Sequence, residues 1–204
     1  MTEDKFETFG SILCSEKWDF DPIWGLTKWM TFNKDGTGKI LCGQEVNLFI
    51  ATEFDWKLQN PKLLDQVVDT SSRIRKNTNI LLCEFDLDLT LTKRRIPKMG
   101  IDLRRARINE DVLKDEAFET KSYTVRLERG AFFSYWDNLD TSRSSYISRY
   151  ELRLVFDKSP YPPRDEWKEP EGAVDALKFW EWKEFVARTL PEDEPAWWRS
   201  CIVC

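Results

Sequence analysis

Apolar and polar residues alternate along three stretches of this chain, residues 46–58, 80–92 and 146–156. Strict alternation is typical of a β-strand with one buried face. In the first stretch the apolar face comprises Val46, Leu48, Ile50, Phe54, Trp56 and Leu58, and the polar face comprises Asn47, Glu53, Asp55 and Lys57. Because all three stretches share this character, they predict a one-sided antiparallel sheet.

A tight turn precedes the first of these strands. Asp35-Gly36 lies in the sequence Lys-Asp-Gly-Thr-Gly between predicted strands at 26–33 and 39–42. Asp-Gly is a preferred pair in two-residue hairpins, because glycine readily adopts a positive φ. A phosphate-binding glycine loop is the alternative, but the Gly-Lys-Ser/Thr ending and the following helix are absent. The turn is therefore predicted to be a hairpin.

The spacing of apolar residues changes in the C-terminal part of the chain. Residues 173–190 carry Phe179, Trp182, Val186 and Leu190 at helical spacing, with charged residues between them. This pattern predicts an amphipathic helix that packs against the sheet. The predicted fold is therefore mainly β, an antiparallel barrel or a strongly curved sheet with one C-terminal amphipathic helix. Residues 1–190 are predicted to form one domain, with an irregular lead-in over 1–23 and a short tail over 191–204.

Composition narrows the function classes. The net charge is −5, which argues against general nucleic-acid affinity, because such binding needs a basic surface. The chain contains no histidine, so Ser-His and Cys-His nucleophile pairs and His-ligated metals are excluded. Ten tryptophans and thirteen phenylalanines can fill a wide core or line a ligand cavity. We expect no cofactor and no bound metal.

Two charged stretches have both functional and structural interpretations. Glu84, Asp86 and Asp88 share one strand face and could bind a metal, or could pair across strands with arginines at 126, 149 and 153. The basic residues between 93 and 107 could bind anions, or could be neutralised by the acidic residues at 110–119. We favour the structural interpretation of both. An aromatic run, Phe132 to Trp136, could be a portal, a partner contact or a folded-back lid.

The two ends of the chain were compared with known targeting signals. The acidic N-terminus does not resemble a signal peptide, and no apolar run approaches the roughly 20 residues that span a bilayer. We therefore expect an intracellular, cytoplasmic protein with reduced cysteines. The last four residues, Cys-Ile-Val-Cys, fit a prenylation motif with Cys201 as the lipidated thiol. One prenyl chain would give weak membrane association.

Residues Trp24-Gly25 to Trp29, the Asp35-Gly36 hairpin and the strands that follow resemble lipocalin-like (calycin) barrels over about residues 18–156. The Gly-x-Trp signature of that family is not met, since Gly25 is followed by tryptophan only at Trp29. The hairpin and residues 161–167 also resemble intracellular proteins of filamentous fungi, a group that implies no reaction. The barrel resemblance implies a cavity for a small apolar ligand.

Three functional hypotheses follow. The first is a non-enzymatic protein that binds a small apolar ligand in a cup lined by Trp29, Phe54, Trp56 and Tyr150. The second is a cofactor-free isomerase or cyclase of the same fold, which needs a carboxylate or tyrosine in the cavity. Glu53 and Asp55 are candidates only if the faces of their strand are inverted. The third is an interaction protein anchored to membranes through Cys201.

Overall fold

The structure, a computed structural model, describes residues 7–22, 28–44, 47–70, 74, 79–96, 106–139 and 148–191. These residues form ten strands: β1 Glu7–Thr8, β2 Lys17–Asp19, β3 Trp29–Phe32, β4 Thr37–Gln44, β5 Asn47–Leu58, β6 Val67–Val68, β7 Ile80–Arg95, β8 Lys121–Phe132, β9 Tyr150–Phe156 and β10 Glu184–Thr189. The α-helices of the same residues are α1 Phe9–Ser15, α2 Tyr135–Leu139 and α3 Ala173–Leu177. Short 3-10 helices lie at Pro61–Asp65, Asn109–Asp111, Asp115–Phe118, Arg164–Glu166 and Phe179–Glu181.

Eight of the strands form a closed antiparallel barrel in the order β2-β3-β4-β5-β7-β8-β9-β10. The barrel strands are neighbours in chain order, while β1 and β6 pair separately. Val186 of β10 pairs with Asp19 of β2 and so closes the ring. The predicted mainly β fold is confirmed, and this up-and-down barrel is consistent with the lipocalin-like architecture.

The C-terminal helix is present, but the prediction that it reaches Leu190 is wrong. α3 ends at Leu177, where Lys178 takes a left-handed conformation with φ 49°. The second half of the predicted helix is β10, which pairs along β9 and closes on β2. Without β10 the edges of β9 and β2 would expose unpaired backbone groups, and satisfying these groups outweighs the helical spacing.

The N-terminal lead-in is more ordered than predicted, because it contains α1 and β2. The hydroxyl of Thr8 accepts a hydrogen bond from the Ser11 N–H, and the Ser11 hydroxyl accepts one from the Thr8 N–H. This reciprocal capping box starts α1. The buried face of α1 packs into the core, where the ring centroid of Phe9 lies 4.7 Å from that of Phe85.

Aromatic side chains occupy the barrel interior. Phe20 stacks on Trp182 with ring centroids 4.0 Å apart, and Phe54 meets the edge of Phe32 at 5.3 Å. Gly38 lies so close to Phe54 that a Cβ at position 38 would come within 2.2 Å of its ring. An eight-stranded barrel can either fill its interior with its own side chains or hold one small ligand. Around Phe54 this barrel is filled.

A β-bulge near the start of β5 reverses the predicted faces there. Leu48, predicted to point inward with Phe54, packs in a separate cluster with Leu41 and Ala51 on the outer face of β4 and β5. Its neighbour Phe49 packs against the main core instead. The prediction for Leu48 is wrong because one extra residue in a strand moves every side chain before it to the other face.

Asn109 clamps residues 106–112 to the barrel. It is fully buried with φ 52°; its Nδ2 donates to the Ala51 carbonyl at 3.0 Å, and its Oδ1 accepts from the Ala51 N–H at 2.8 Å. The β5–β7 register shifts beside this point, between Thr52 and Phe54. The amide therefore supplies the hydrogen bonds that a neighbouring strand would supply.

The described helices are short. The longest α-helix, α1, has 7 residues, whereas a bilayer-spanning helix needs about 20. No helix in the described parts of the chain is long and apolar enough to cross a membrane.

Candidate functional site

The four side chains predicted to line one ligand cup lie in three places. Phe54 and Trp56 are neighbours in the main core, and the Trp56 Nε1 donates to the Thr37 carbonyl at 2.8 Å. Trp29 packs in the outer-face cluster with Leu41 and Ala51. Tyr150 packs with Phe132 and Val186 in a third cluster. The barrel therefore does not bring the four together, and their role in ligand binding stays a prediction.

Glu53 and Asp55 point outward, as the alternation of β5 predicts. Both carboxylates pair with Arg94 of β7, and the Arg94 Nε lies 3.0 Å from a Glu53 oxygen. Hydrogen bonds to Asp55 and then to Glu53 raise the pKa of Arg94. The inverted arrangement that would place these carboxylates in a cavity does not occur.

The acidic face of β7 is also engaged across strands. The Thr124 hydroxyl donates to Asp86 at 2.9 Å, and the Ser122 hydroxyl donates to Asp88 at 2.6 Å. Glu84 stands opposite Arg126 in the register. These contacts support the structural interpretation, with hydroxyl groups as the main partners of the two aspartates. Within the described residues, no three His, Cys, Asp or Glu side chains come together as a metal site.

The described basic residues of the stretch 93–107 pair with acidic residues, in line with the structural interpretation. They form ion pairs with six acidic residues, three of which lie in the predicted acidic stretch 110–119: Lys93 with Asp115, Arg94 with Glu53 and Asp55, Arg95 with Glu110 and Asp111, and Arg107 with Glu169. Lys98, Arg104 and Arg105 lie outside the described residues. An anion-binding patch gains no support from these pairs.

A pocket of about 470 Å³ lies where the start of β5 meets two later segments of the chain. We call it the rim pocket. It is lined by Asn47, Leu48 and Phe49 of β5, by Ala106, Arg107 and Val112, and by Trp167, Glu169, Glu171, Ala173 and Val174. Its volume falls in the range of about 300–1,000 Å³ that is usual for small-molecule sites.

The apolar wall of the rim pocket is held by the barrel core. Trp167 is buried, and its Nε1 donates to the Pro162 carbonyl at 3.0 Å. Its ring stacks on Phe179 at 5.6 Å and meets the edge of Phe49 at 6.1 Å. Because both neighbours pack in the main core, this wall is fixed before any ligand arrives.

Two segments of the rim pocket pair with each other. The Lys168 N–H donates to the Val112 carbonyl at 2.9 Å, and Leu113 forms an antiparallel bridge with Trp167. Arg107 and Glu169 also join across these segments, with nitrogen and oxygen 2.8 Å apart. The hydrogen bond to Glu169 raises the pKa of Arg107. Both side chains are exposed, so this ion pair is weak and a ligand can displace it at small cost.

A second group of side chains, all of them charged, lies beside the junction of β2 and β10 that closes the barrel. Asp21 and Lys28 form an ion pair with atoms 3.4 Å apart, and they are 1% and 5% exposed. The Lys28 ammonium also lies 5.6 Å from the ring centre of Trp182. Asp19 is nearly buried next to them. We call Asp19, Asp21 and Lys28 the buried charge cluster.

The aromatic run at the end of β8 packs against Phe20, the residue between Asp19 and Asp21. The rings of Tyr135 and Trp136 lie 4.9 and 6.5 Å from that of Phe20, which stacks on Trp182. This contact agrees with the folded-back lid, one of the three interpretations left open by the sequence. Trp136 is still partly exposed.

Burial changes proton affinities around the buried charge cluster. It raises the pKa of Asp19, although the hydrogen bond and charge of Lys17 act in the opposite direction. Burial also raises the pKa of Tyr150 to about 12, with further contributions from the charges of Asp137, Asp19 and Asp21. A carboxylate with a raised pKa beside aromatic rings can exchange a proton with a ligand.

Sequence reasoning missed both groups of residues. Asp19 and Asp21 fall in the lead-in, to which we assigned no chemistry, and Lys28 is one of many surface-type residues in the sequence. The rim pocket joins Phe49, Val112 and Trp167 from three distant segments. One usable signal was the apolar pair Leu48-Phe49, which breaks the alternation at the start of β5.

The predicted lipidation site, Cys201, lies outside the described residues. The fold and these two groups of residues define an eight-stranded antiparallel barrel protein with a lateral pocket and a buried ion pair. Comparison of the chain with family models, with curated proteins and with solved structures finds no match.

Proposed function

We propose that this protein binds a small, largely apolar molecule, and that it does so in the rim pocket. The observation that carries the proposal is a pocket of about 470 Å³ whose wall is a buried tryptophan held by the barrel core. A preformed pocket with an apolar wall and a few polar groups is the usual form of a small-molecule site. The ligand class is the one expected from the sequence, a small apolar molecule. The proposed binding site is the rim pocket and not a cup inside the barrel.

The lining indicates how such a ligand would be oriented. Its apolar body would lie against Phe49, Trp167 and Val174. Its polar end would face Arg107 and Glu169, which already meet at the opening. Because this ion pair is exposed, it selects the orientation of a ligand more than it adds affinity.

A matched pair of alanines on α3 tests this site. Ala173 lines the rim pocket, whereas Ala176 is exposed on the same helix and does not line it. In Ala173→Trp the indole is expected to occupy the pocket and weaken binding of the neutral fluorescent probe N-phenyl-1-naphthylamine by at least about tenfold. Ala176→Trp is expected to stay within about twofold of the unaltered chain. Equal affinities of the two variants in a fluorescence titration would contradict the proposal.

A second candidate function is a cofactor-free enzyme that moves a proton on an apolar substrate. The specific observation in its favour is Asp19, a nearly buried carboxylate with a raised pKa beside Tyr150 and the aromatic rings. In this proposal Asp19 transfers the proton, and Tyr150, still protonated at neutral pH, donates a hydrogen bond to the substrate. Asp19 thus takes the role that the sequence analysis considered for Glu53 and Asp55, which point to solvent.

The raised pKa of Asp19 has a testable consequence for stability. Since the folded state holds this proton more tightly, the stabilising contribution of Asp19 is full below the unfolded pKa, about 3.9, and is lost as pH rises through the folded value. The difference in free energy of unfolding between Asp19→Asn and the unaltered chain is therefore expected to favour the variant more at neutral pH than in acid. Urea unfolding over a pH series measures this difference. An unchanged pH slope would remove the basis of the enzyme proposal.

Membrane association through a prenyl group on Cys201 also stays a proposal. Its support is the Cys-Ile-Val-Cys sequence, in which a thiol is followed by two aliphatic residues. Mass spectrometry of the natively expressed protein tests it directly, since an unmodified C-terminal peptide would contradict it.

A further inference from the structure

A smaller cavity of about 210 Å³ opens beside the start of β8. Its walls include the rings of Tyr123, Tyr161 and Trp180, together with Lys121, Lys158 and Ser159. We call it the tyrosine pocket. It shares no lining residue with the rim pocket. Its volume is below the range of about 300–1,000 Å³ that is usual for small-molecule sites, which suits a ligand of one ring and one small substituent.

Most polar groups of the tyrosine pocket already have partners. The Tyr161 hydroxyl donates to the Leu41 carbonyl at 2.7 Å, and the Ser159 hydroxyl donates to the Phe179 carbonyl at 2.9 Å. The Lys121 ammonium donates to Glu166 at 2.5 Å. These groups hold the segment after β9 against the barrel and are not available to a ligand.

Two groups of the tyrosine pocket are not committed in this way. Lys158 places its ammonium 5.1 Å from the ring centre of Tyr123 and forms no ion pair with a described residue. The Tyr123 hydroxyl likewise forms no hydrogen bond within the described residues, although its side chain is almost fully buried. Its oxygen is nevertheless not cut off from solvent, unlike the Oε2 atom of Glu110, so this hydroxyl can donate to a ligand that enters the pocket.

The electrostatics fix which form of Tyr123 a ligand meets. Burial raises the pKa of Tyr123, and the charges of Glu166 and Asp157 raise it further. The phenol therefore stays protonated at neutral pH and can donate its hydrogen. The two carboxylates themselves are occupied, Glu166 by Lys121 and Asp157 by the Thr124 N–H at 3.2 Å.

We propose that the tyrosine pocket binds a small aromatic carboxylate. Its carboxylate would accept hydrogen bonds from the Tyr123 hydroxyl and the Lys158 ammonium, the two uncommitted donors. Its ring would lie against Trp180 and Tyr161, which supply the apolar wall. Hydrogen bonds to a charged group are the stronger kind, and they favour an anion over a neutral molecule of the same shape. Lys158, the lining lysine without an ion pair in the described residues, disfavours a cationic ligand.

Benzoate is the probe that tests this site, with benzyl alcohol and benzamidine as neutral and cationic ligands of similar size. Because the pocket is small and open, we expect benzoate to bind with a Kd on the order of a millimolar, measured by NMR titration. Lys158→Gln and Tyr123→Phe are each expected to weaken benzoate about five- to tenfold. Lys178→Gln, which alters an exposed lysine paired with Glu181, is expected to change nothing.

Three results would overturn the proposal: benzamidine or benzyl alcohol binding as tightly as benzoate, Lys158→Gln leaving benzoate affinity unchanged, or Ala173→Trp abolishing benzoate binding. The last result would assign the benzoate to the rim pocket. Lys158 is exposed, so its glutamine variant is expected to fold normally and keeps the test decisive if Tyr123→Phe is unstable.

Discussion

Replacing Asn109 with alanine is expected to lower the free energy of unfolding by about 3 kcal/mol. The change removes two buried hydrogen bonds and leaves the Ala51 N–H without its acceptor, which costs about 1–3 kcal/mol. It also puts alanine at φ 52°, a left-handed conformation that costs a further 1–2 kcal/mol or so outside glycine, asparagine and aspartate. Urea unfolding followed by tryptophan fluorescence measures the loss.

Two comparisons separate these causes. Asn109→Gly loses the same hydrogen bonds without the backbone strain, so it is expected to be about 1 kcal/mol more stable than Asn109→Ala. Asn33→Ala removes an exposed asparagine whose Nδ2 donates to the Thr37 hydroxyl at 3.0 Å, and a change of only about 0.5 kcal/mol is expected. If Asn109→Ala were as mild as Asn33→Ala, the clamp on Ala51 would not stabilise the barrel.

The clamp also connects stability to the proposed ligand site. Asn109 fixes the segment that carries Arg107 and Val112, two lining residues of the rim pocket. In Asn109→Gly, which is expected to be the milder variant, binding of N-phenyl-1-naphthylamine should weaken even under conditions where the barrel stays folded. A preformed wall contributes affinity because the ligand does not have to order it.

The barrel strands were predictable because their pattern is local. Phe54, Trp56 and Leu58 alternate with Asp55 and Lys57, and that alternation alone assigns each side chain to the core or to solvent. The Asp35-Gly36 turn was predictable for the same reason. Gly36 has φ 84°, and the Thr37 N–H donates to the Asp35 side chain at 3.0 Å, so the turn is built from its own residues.

Features that depend on distant partners were not predictable. Residues 184–189 have apolar side chains compatible with a helix or a strand, and the free edges of β2 and β9 decide between them. The bulge that turns Leu48 outward depends on how β4 meets β5. The rim pocket needs Phe49, Val112 and Trp167 in one place, a consequence of the complete barrel. Apart from the break in alternation at Leu48-Phe49, the local pattern contains none of this information.

Replacing Lys28 with methionine is expected to be the most damaging of these changes, lowering the free energy of unfolding by about 3–5 kcal/mol. Methionine keeps an unbranched side chain of similar length but has no ammonium group. Asp21, only 1% exposed, would then lose the cation 3.4 Å from its carboxylate. Removing the cation beside a buried carboxylate is costly because that carboxylate has already given up its hydration. Urea unfolding at neutral pH measures the effect.

The same substitution at Lys17 is the matched control. Lys17 pairs with Asp19 at 2.7 Å, but its side chain is 48% exposed, so Lys17→Met is expected to cost less than about 1 kcal/mol. Adding Asp21→Leu to Lys28→Met removes both charges and is expected to recover most of the loss, since an apolar pair can replace a buried ion pair. If Lys28→Met were as mild as Lys17→Met, water would reach the ion pair. Asp19, which lies beside this pair, would then lack the dry surroundings that its proposed proton transfer needs.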